Sequence, residues 1–288
     1  MAIDNFIPSI WSAKLFVRLR KALVFGNIVN TDYEGEISGF GSSVRINEIG
    51  PITVSDYTKY SAMTWQELES AQKILNIDQG KSFSFAIDDI DTAQSKPKVM
   101  NDAMGEASYA IADTVDQYIA GKYAEAGVTG SSTFIGSASS SIAVSSGNVI
   151  ETISYVQRYL NESNVPTGDR FGIITPWLHQ KLIIAETGGI ASTGVPKVRD
   201  DGVIMNGFVG RAFGFDLMMS NNVSTDETQY RMMFGTRQAI SYAGQVAKTR
   251  AVQREDYWDD GVKGLYVYGC KVVRPNALCT LYASEGTG

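Results

Sequence analysis

Apolar positions along this chain repeat with two different periods, and the places where one gives way to the other divide it. Around Pro8 to Phe25, Ile7, Ile10, Trp11, Leu15, Leu19, Ala22 and Leu23 fall on one helical stripe, with Lys14, Arg18 and Lys21 opposite. This predicts an amphipathic arm that needs a partner surface. From Thr31 to Asp91 the pattern alternates. "SGFGSSVRINEIGPITVSDY" reads as strands broken at Gly39–Gly41 and Gly50-Pro51. "KILNIDQGKSFSFAI" predicts a hairpin turning at Asp78-Gln79-Gly80-Lys81, because Gly accepts positive φ. There Phe83, Phe85 and Ile87 alternate with Ser82, Ser84 and Ala86, giving one apolar and one small, polar face. Built this way, the excursion has little core of its own.

The helical period then returns at its longest. Ser95 is placed to cap, Pro97 suits the first turn, and Met100, Ala103, Ala107, Ala110, Ile111, Thr114, Val115, Tyr118 and Ile119 make a stripe that Gly127 closes. About thirty residues give a rod of roughly 45 Å. "GSSTFIGSASSSIAVSSG" is a low-complexity connection or short β element. A compact α/β pattern follows: a helix over Val149–Leu160, the strand "RFGIIT", a helix from Pro176, and strands at Phe215–Ser220 and Tyr230–Thr236. "AISYAG" leads into the polar extended stretch "VAKTRAVQREDYWDDG". The chain closes on "GVKGLYVYGCKVVRPNAL", which stops at Arg274-Pro275 and resumes as another apolar run. There is no internal repeat.

Composition narrows the possibilities. The 288 residues are 44% hydrophobic and 19% charged, the balance of a globular protein with a sizeable core. A net charge of −6 and the absence of any Lys/Arg run beyond "RLRK" at Arg18–Lys21 argue against a protein that grips nucleic acid through its phosphates. No window reaches the roughly 20 apolar residues of a membrane helix, and the first residues do not have the pattern of a secretory signal. Cys270 and Cys279 lie in apolar, strand-like surroundings and read as buried free thiols.

Chemistry is scarce. His179 is the only histidine, no G-x-S-x-G elbow accompanies it, and it reads as a helix residue after Trp177. Zinc sites of the usual kind need Cys and His clusters, which are lacking. Asp88, Asp89 and Asp91 do not have the ligand spacing of a calcium loop, and Asp259-Asp260-Gly261 reads as a turn. Gly207, Gly210 and Gly214 match no dinucleotide or phosphate loop and suit turns around short strands. Tyr57, Tyr60 and Trp65 sit in the strand-rich excursion, where they bury either against a neighbouring subunit or in local hairpin packing.

The layout resembles the major capsid protein of tailed phages, the Hong Kong 97-type fold. "LVFGNIVNTDYEGEI" is similar to that family's early segment, and "KSFSFAIDDIDTAQSKP" to its passage from the β excursion into the spine helix. "AIADTVDQYIAGKYAEAG" resembles the spine, "VGRAFGFDLMMSNNV" a strand pair of the axial domain, and "GVKGLYVYGCKVVRPNAL" the closing strands. The resemblance implies an α+β fold divided into an N-terminal arm (1–30), an extended β hairpin loop (31–94) and a spine helix with part of a peripheral domain (95–145). An axial domain (146–245), peripheral-domain strands (246–274) and a return strand with tail (275–288) complete it. The break at Arg274-Pro275 would carry the chain from one domain's sheet into the other's.

The function implied is a structural, non-enzymatic coat protein that self-assembles as pentamers and hexamers into an icosahedral phage head around double-stranded DNA, held without sequence-specific binding. No catalytic residue, cofactor or metal is implied, and no membrane. Portal, scaffolding and decoration proteins are the implied partners, with assembly in the host cytoplasm and residence in the virion. No long scaffolding segment is expected ahead of the arm. Candidate inter-subunit contacts are Ile10, Trp11, Leu15, Tyr57, Tyr60, Trp65, Phe83 and Phe85. The alternatives are an encapsulin-type nanocompartment shell and, further off, a hydrolase or β-rich binding module.

Overall fold

The computed structural model describes residues 23–32, 43–49, 70–88, 98–128, 132–187, 208–253 and 259–286, with 52, 54, 56, 59 and 60 between them. Among the described residues the strands form three sheets. β1 (Ser43–Ile49) and β2 (Ser70–Asn76) make an antiparallel ribbon. β3 (Gln79–Asp88) lies at one edge of a three-stranded sheet with β10 (Ile240–Gln253) and β11 (Asp259–Val272), in the order β10-β11-β3. The largest sheet has seven strands: β4 (Ile142–Val144), β12 (Leu278–Glu285), β9 (Gln229–Thr236), β5 (Arg170–Ile174), β7 (Phe215–Met219) and β6 (Phe208–Ala212) in that order, with β8 (Ser224–Asp226) beside β9. The helices are α1 (Lys98–Ala120), the single turn α2 (Ser132–Ile135), α3 (Val149–Glu162) and α4 (Pro176–Thr187).

The local chemistry explains these elements. β5 is buried at all five positions, as a near-continuous apolar run flanked by strands on both sides should be. α3 buries Val149, Ile153, Val156 and Leu160 on one stripe. Asn164 ends it in a left-handed conformation while the Val165 N–H donates to the Leu160 carbonyl, a Schellman closure. The buried Arg170 guanidinium donates to the Val165 and Pro166 carbonyls of the next turn. β6 and β7 are joined by the two residues Phe213 and Gly214, with φ of 52° and 75°, the type I′ geometry that matches strand twist.

The two larger sheets are joined through one ribbon. β9 pairs with β12 up to Gly235↔Leu278, and β10 pairs with β11 starting at Ile240↔Val272, so the same two strands pass from one sheet into the other with a one-residue offset at the crossing. Both chains are interrupted at the same level by short 3-10 turns, Arg237–Ala239 and Pro275–Ala277. The turns are tied: Val273 and Arg274 N–H groups donate to the Ala239 carbonyl, and Arg274 Nη1 donates to Gln238 Oε1. The stretch after α1 joins them. Gly127 N–H donates to the Pro275 carbonyl at 2.8 Å, and Val128 N–H to that of Leu278 at 3.1 Å. The Arg274-Pro275 break therefore does carry the chain between sheets, with Pro275 opening a turn and not a ladder.

Three expectations are corrected. Residues 73–87 are not a hairpin: β2 pairs with β1, and β3 pairs with β11 over ten residues. The chain runs on through Ile77 because Leu75 and Ile77 find Ala243 and Val267 to bury against, forming with Val44, Ile46 and Val273 a second small core. The excursion's base is thus packed within its own chain. The spine helix is shorter than expected, 23 residues from Lys98 to Ala120, about 35 Å. It tightens at Gly121, a poor helix former, into the 3-10 segment Gly121–Glu125. Gly127 is no helix cap but a close-approach residue against Pro275. Finally, Asp259-Asp260-Gly261 opens β11 instead of forming a turn, since β10 and β3 both pair with it there. Ser95, Pro97 and the arm up to Ala22 lie outside the described residues.

A Cβ on Gly127 would stand 2.7 Å from the Pro275 Cβ and 2.8 Å from its carbonyl carbon, and one on Gly235 would stand 2.5 Å from the Ala277 carbonyl oxygen. Both press on backbone that cannot rotate away. Gly127→Ala and Gly235→Ala should each cost about 1–3 kcal/mol by overpacking, read as a lower urea midpoint of the subunit. Gly168→Ala, with nothing within 4 Å of its Cβ, should shift it by no more than about 0.5 kcal/mol.

Candidate assembly surfaces and the joints behind them

Ile52, Val54 and Tyr60, in the stretch joining β1 to β2, are 69%, 93% and 95% exposed. Tyr60 also has a φ of 68°, a conformation a bulky residue adopts rarely, with the Lys59 ammonium over its ring. These large apolar groups face water on a ribbon whose base is buried. Ile183 and Ile184 on α4 and Ile74 on β2 are half-exposed.

Behind these surfaces lie two joints. The first holds the root of the arm. Val24, Phe25, Ile28 and Val29 are in the main core, and Asn30 bridges to Ser241 at the edge of β10. Gly26 N–H donates to Asp116 Oδ1 of α1 at 3.3 Å. Asn222, in the loop between β7 and β8, donates its Nδ2 to Asp116 Oδ2 at 3.0 Å and to Asp113 Oδ1 at 2.8 Å. Arm, spine and large sheet thus meet on one carboxylate that is 2% exposed. Burial raises the Asp116 pKa, and the hydrogen bonds from Asn222 and the Gly26 backbone only partly oppose it.

The second joint is the 3-10 segment after α1. Glu125 receives Lys122 and Lys271 at 3.1 Å each, Lys271 reaching in from β11. Burial opposes ionisation of Glu125, but the bonds from Lys271 and Lys122 outweigh it and its pKa is lowered. Tyr118 meets Tyr268 of β11 edge-on at 5.2 Å. On the other side, the Tyr123 carbonyl accepts from Thr280 of β12, and the Arg231 guanidinium of β9 lies 4.8 Å from the Tyr123 ring. The spine's end therefore grips both large sheets.

Of the residues the sequence singled out as contacts, Phe83 and Phe85 are half-buried and stacked 6.4 Å apart, with the Phe83 ring over Gly264 of β11. Tyr60 is the exposed tip residue, and Ile10, Trp11, Leu15, Tyr57 and Trp65 lie outside the described residues. His179 is half-buried in the first turn of α4. Both thiols are buried and free, their pKa values pushed up to about 12 by desolvation. The sequence reading missed Asp113, Asp116, Asn222 and Glu125. A signal existed for Asp116, a carboxylate set between Val115 and Ile119 on the buried face of the spine.

Among the described residues no group of side chains could hold a metal ion, and no helix is long and apolar enough to cross a membrane. The family model described as phage capsid protein matches residues 70–281. The chain belongs to the phage capsid protein family. A solved structure from Mycobacterium phage Che8 is similar to this capsid protein at 26% identity and a TM-score of 0.73, covering 97% of this chain and 98% of that one. The capsid structure of the Cyanophage P-SCSP1u follows at 17% identity and 0.72, covering 99% and 95%, and the capsid of Ralstonia phage GP4 at 14% and 0.68, covering 100% and 98%. A search of curated proteins gave no match. The fold is the α+β Hong Kong 97 type, and the protein is the structural major capsid protein of a tailed-phage head, which self-assembles into the shell of the virion and is not an enzyme. The family decides for the phage head over a nanocompartment shell, a hydrolase or a β-rich binding module.

Asp116→Ala should strip the acceptor from the Gly26 N–H and one from Asn222, costing about 1–3 kcal/mol in subunit stability. The pH response has a definite sign. Because the folded Asp116 pKa is raised, the folded state holds the proton more tightly, so this group's contribution to stability grows as pH falls from above that pKa towards 3.8. Asp116→Asn should remove that slope, seen as a flatter dependence of the urea midpoint on pH above 3.8.

Proposed function

We propose that the subunit builds an icosahedral shell of pentamers and hexamers around double-stranded DNA, and that the excursion is its principal grip on a neighbour. The observation that carries this reading is the exposure of Ile52, Val54 and Tyr60 on a ribbon whose base, Val44, Ile46, Leu75 and Ile77, is buried in its own chain. A rooted projection with an apolar tip is built to reach outward. An isolated two-stranded ribbon is marginally stable in water, so a covered tip has more to gain than a free one. At roughly 25 cal/mol per Å², a few hundred Å² of apolar contact gives several kcal/mol per subunit before ordering costs. That is modest singly, and cooperative when repeated around a closed shell. Tyr57, Tyr60 and Trp65 are the proposed anchors, with Phe83 and Phe85 nearer the base. Ile10, Trp11 and Leu15 would dock the arm on a neighbour or along the spine.

In the same reading the seven-stranded sheet with α3 and α4 is the axial domain, and α1 with the three-stranded sheet the peripheral domain. The chain leaves the large sheet at Arg237–Ala239 and returns at Pro275–Ala277, which favours those two turns as the boundaries over a division near residue 245. The net charge of −6 suits a lining that encloses DNA without holding it tightly. Portal, scaffolding and decoration proteins are the further partners, with assembly in the host cytoplasm.

Replacing residues 50–69 by a short Gly-Ser turn retains β1, β2 and the second core. The shortened chain should fold with an unchanged urea midpoint and yield no closed shells by negative-stain microscopy. Normal particles from it would refute the assignment.

A further inference from the structure

Val273, the residue that enters the Arg274-Pro275 break, is used three times over. Its N–H donates to the Ala239 carbonyl at 2.9 Å, one of the ties between the two 3-10 turns. Its side chain is buried in the small core that Val44, Ile46, Leu75 and Ile77 share with Ala243 and Val267. Its carbonyl accepts from the Lys73 ammonium of β2, 200 residues away in sequence. Alternate residues of an extended chain share a face, so Lys73 points towards the sheet from the same side as Leu75 and Ile77. It stands opposite Ile46 in the ribbon's ladder, and Ile46 is buried on that face as well. A second contact lies earlier on β11. A Cβ on Gly269 would stand 2.1 Å from the Asn76 carbonyl oxygen and 3.2 Å from the Ile77 Cα, so there the ribbon's return strand rests backbone on backbone.

Two contacts define a direction. Asn76 to Lys73 spans about 10 Å of β2, and Gly269 to Val273 about 13 Å of β11, at roughly 3.3 Å per residue. The ribbon therefore leaves alongside β11, heading for the crossing. The Gly269 seat fixes where it starts. Apolar burial is non-directional, so the small core alone does not fix its angle. A hydrogen bond is directional, and one from an ammonium is roughly twice as strong as a neutral one. We propose that Lys73 is a strut: by holding the ribbon on the Val273 carbonyl it locks the excursion's angle to the two-turn crossing, giving every subunit the same pitch and the shell one diameter. This rests on the reading that the excursion grips a neighbour, and it adds the residue that aims it. Contacts that repeat around a shell close only when each repeats the same rotation, so an angle left free in every subunit lets assemblies close at different sizes.

The test is Lys73→Met in the full chain, which keeps an unbranched apolar stem and removes the donor. In the free subunit, spin labels on Arg45→Cys of β1 and Gln180→Cys of α4, both exposed positions, report the separation of ribbon and large sheet. Cys270 and Cys279 are buried and take no label. With Lys73 in place the labels should give one narrow distance distribution; with Lys73→Met the distribution should broaden while the subunit still unfolds cooperatively. Particles of the unlabelled Lys73→Met chain should pass from one diameter to several by negative-stain microscopy. Ile46→Val, which loosens the small core without touching the Val273 carbonyl, should leave both readouts as in the wild type. An equally narrow distribution with and without Lys73 overturns the strut, whatever the particles do. So does equal broadening by Ile46→Val, which would make Lys73 one more contributor to the core. A broadened distribution with particles of a single diameter overturns the link to shell size and, with it, the reading of the excursion as the principal grip.

Discussion

Where β9 gives way to β10 and β11 to β12, two antiparallel strands leave one sheet and enter another side by side, and the subunit's geometry is set there. Gly235↔Leu278 is the last pair of one ladder and Ile240↔Val272 the first of the next. Within each ladder a one-residue slip would turn every inward side chain outward, and the one-residue offset between the two ladders is taken up in the pair of 3-10 turns. The turns are further pinned by the spine's exit through Gly127 and Val128. The α3–α4 sheet on one side and the spine, arm root and excursion on the other are therefore held in one relation by backbone hydrogen bonds, and only secondarily by side chains such as Glu125 and Tyr123.

This placement divides the labour of the molecule. The apolar payload of the large sheet is spent internally, on Phe171, Phe215, Phe234 and the stripe of α3. Among the described residues the base of the excursion packs on its own subunit, through a small core of Val44, Ile46, Leu75, Ile77, Ala243, Val267 and Val273. Among the described residues, large apolar groups are left facing water at Ile52, Val54 and Tyr60 and at Ile183 and Ile184 of α4. A coat protein gains from this economy: many modest contacts can be reversed and corrected during assembly, where a few strong ones would trap errors.

Much of this was legible in the sequence because period and punctuation agree. Helix α3, strands β5, β7 and β9, the start of α4 at Pro176 and the break at Pro275 were readable from apolar spacing and from Pro and Gly, whereas the passage of that break between two sheets was implied by the family resemblance. The failures share a cause. Asp78–Lys81 has good turn chemistry, yet ten ladder pairs with β11 and two buried side chains, Leu75 and Ile77, outweigh a local hairpin. The spine's stripe implied a longer helix, but Gly121 and the contacts of Lys122, Tyr123 and Glu125 end it at Ala120. Partners distant in sequence, such as Asp116 with Asn222 and Gly26, leave no periodic trace at all.

The central claim is that the ribbon crossing is complete within one subunit whereas the excursion's tip is completed only by another. Amide hydrogen exchange on free subunits and on closed particles tests it most directly. The account predicts that β9, β10, β11 and β12 around both 3-10 turns are slow in both states, and that the backbone around Ile52, Val54 and Tyr60 becomes slow only in particles. Equal protection of that stretch in the free subunit and in the particle would contradict it.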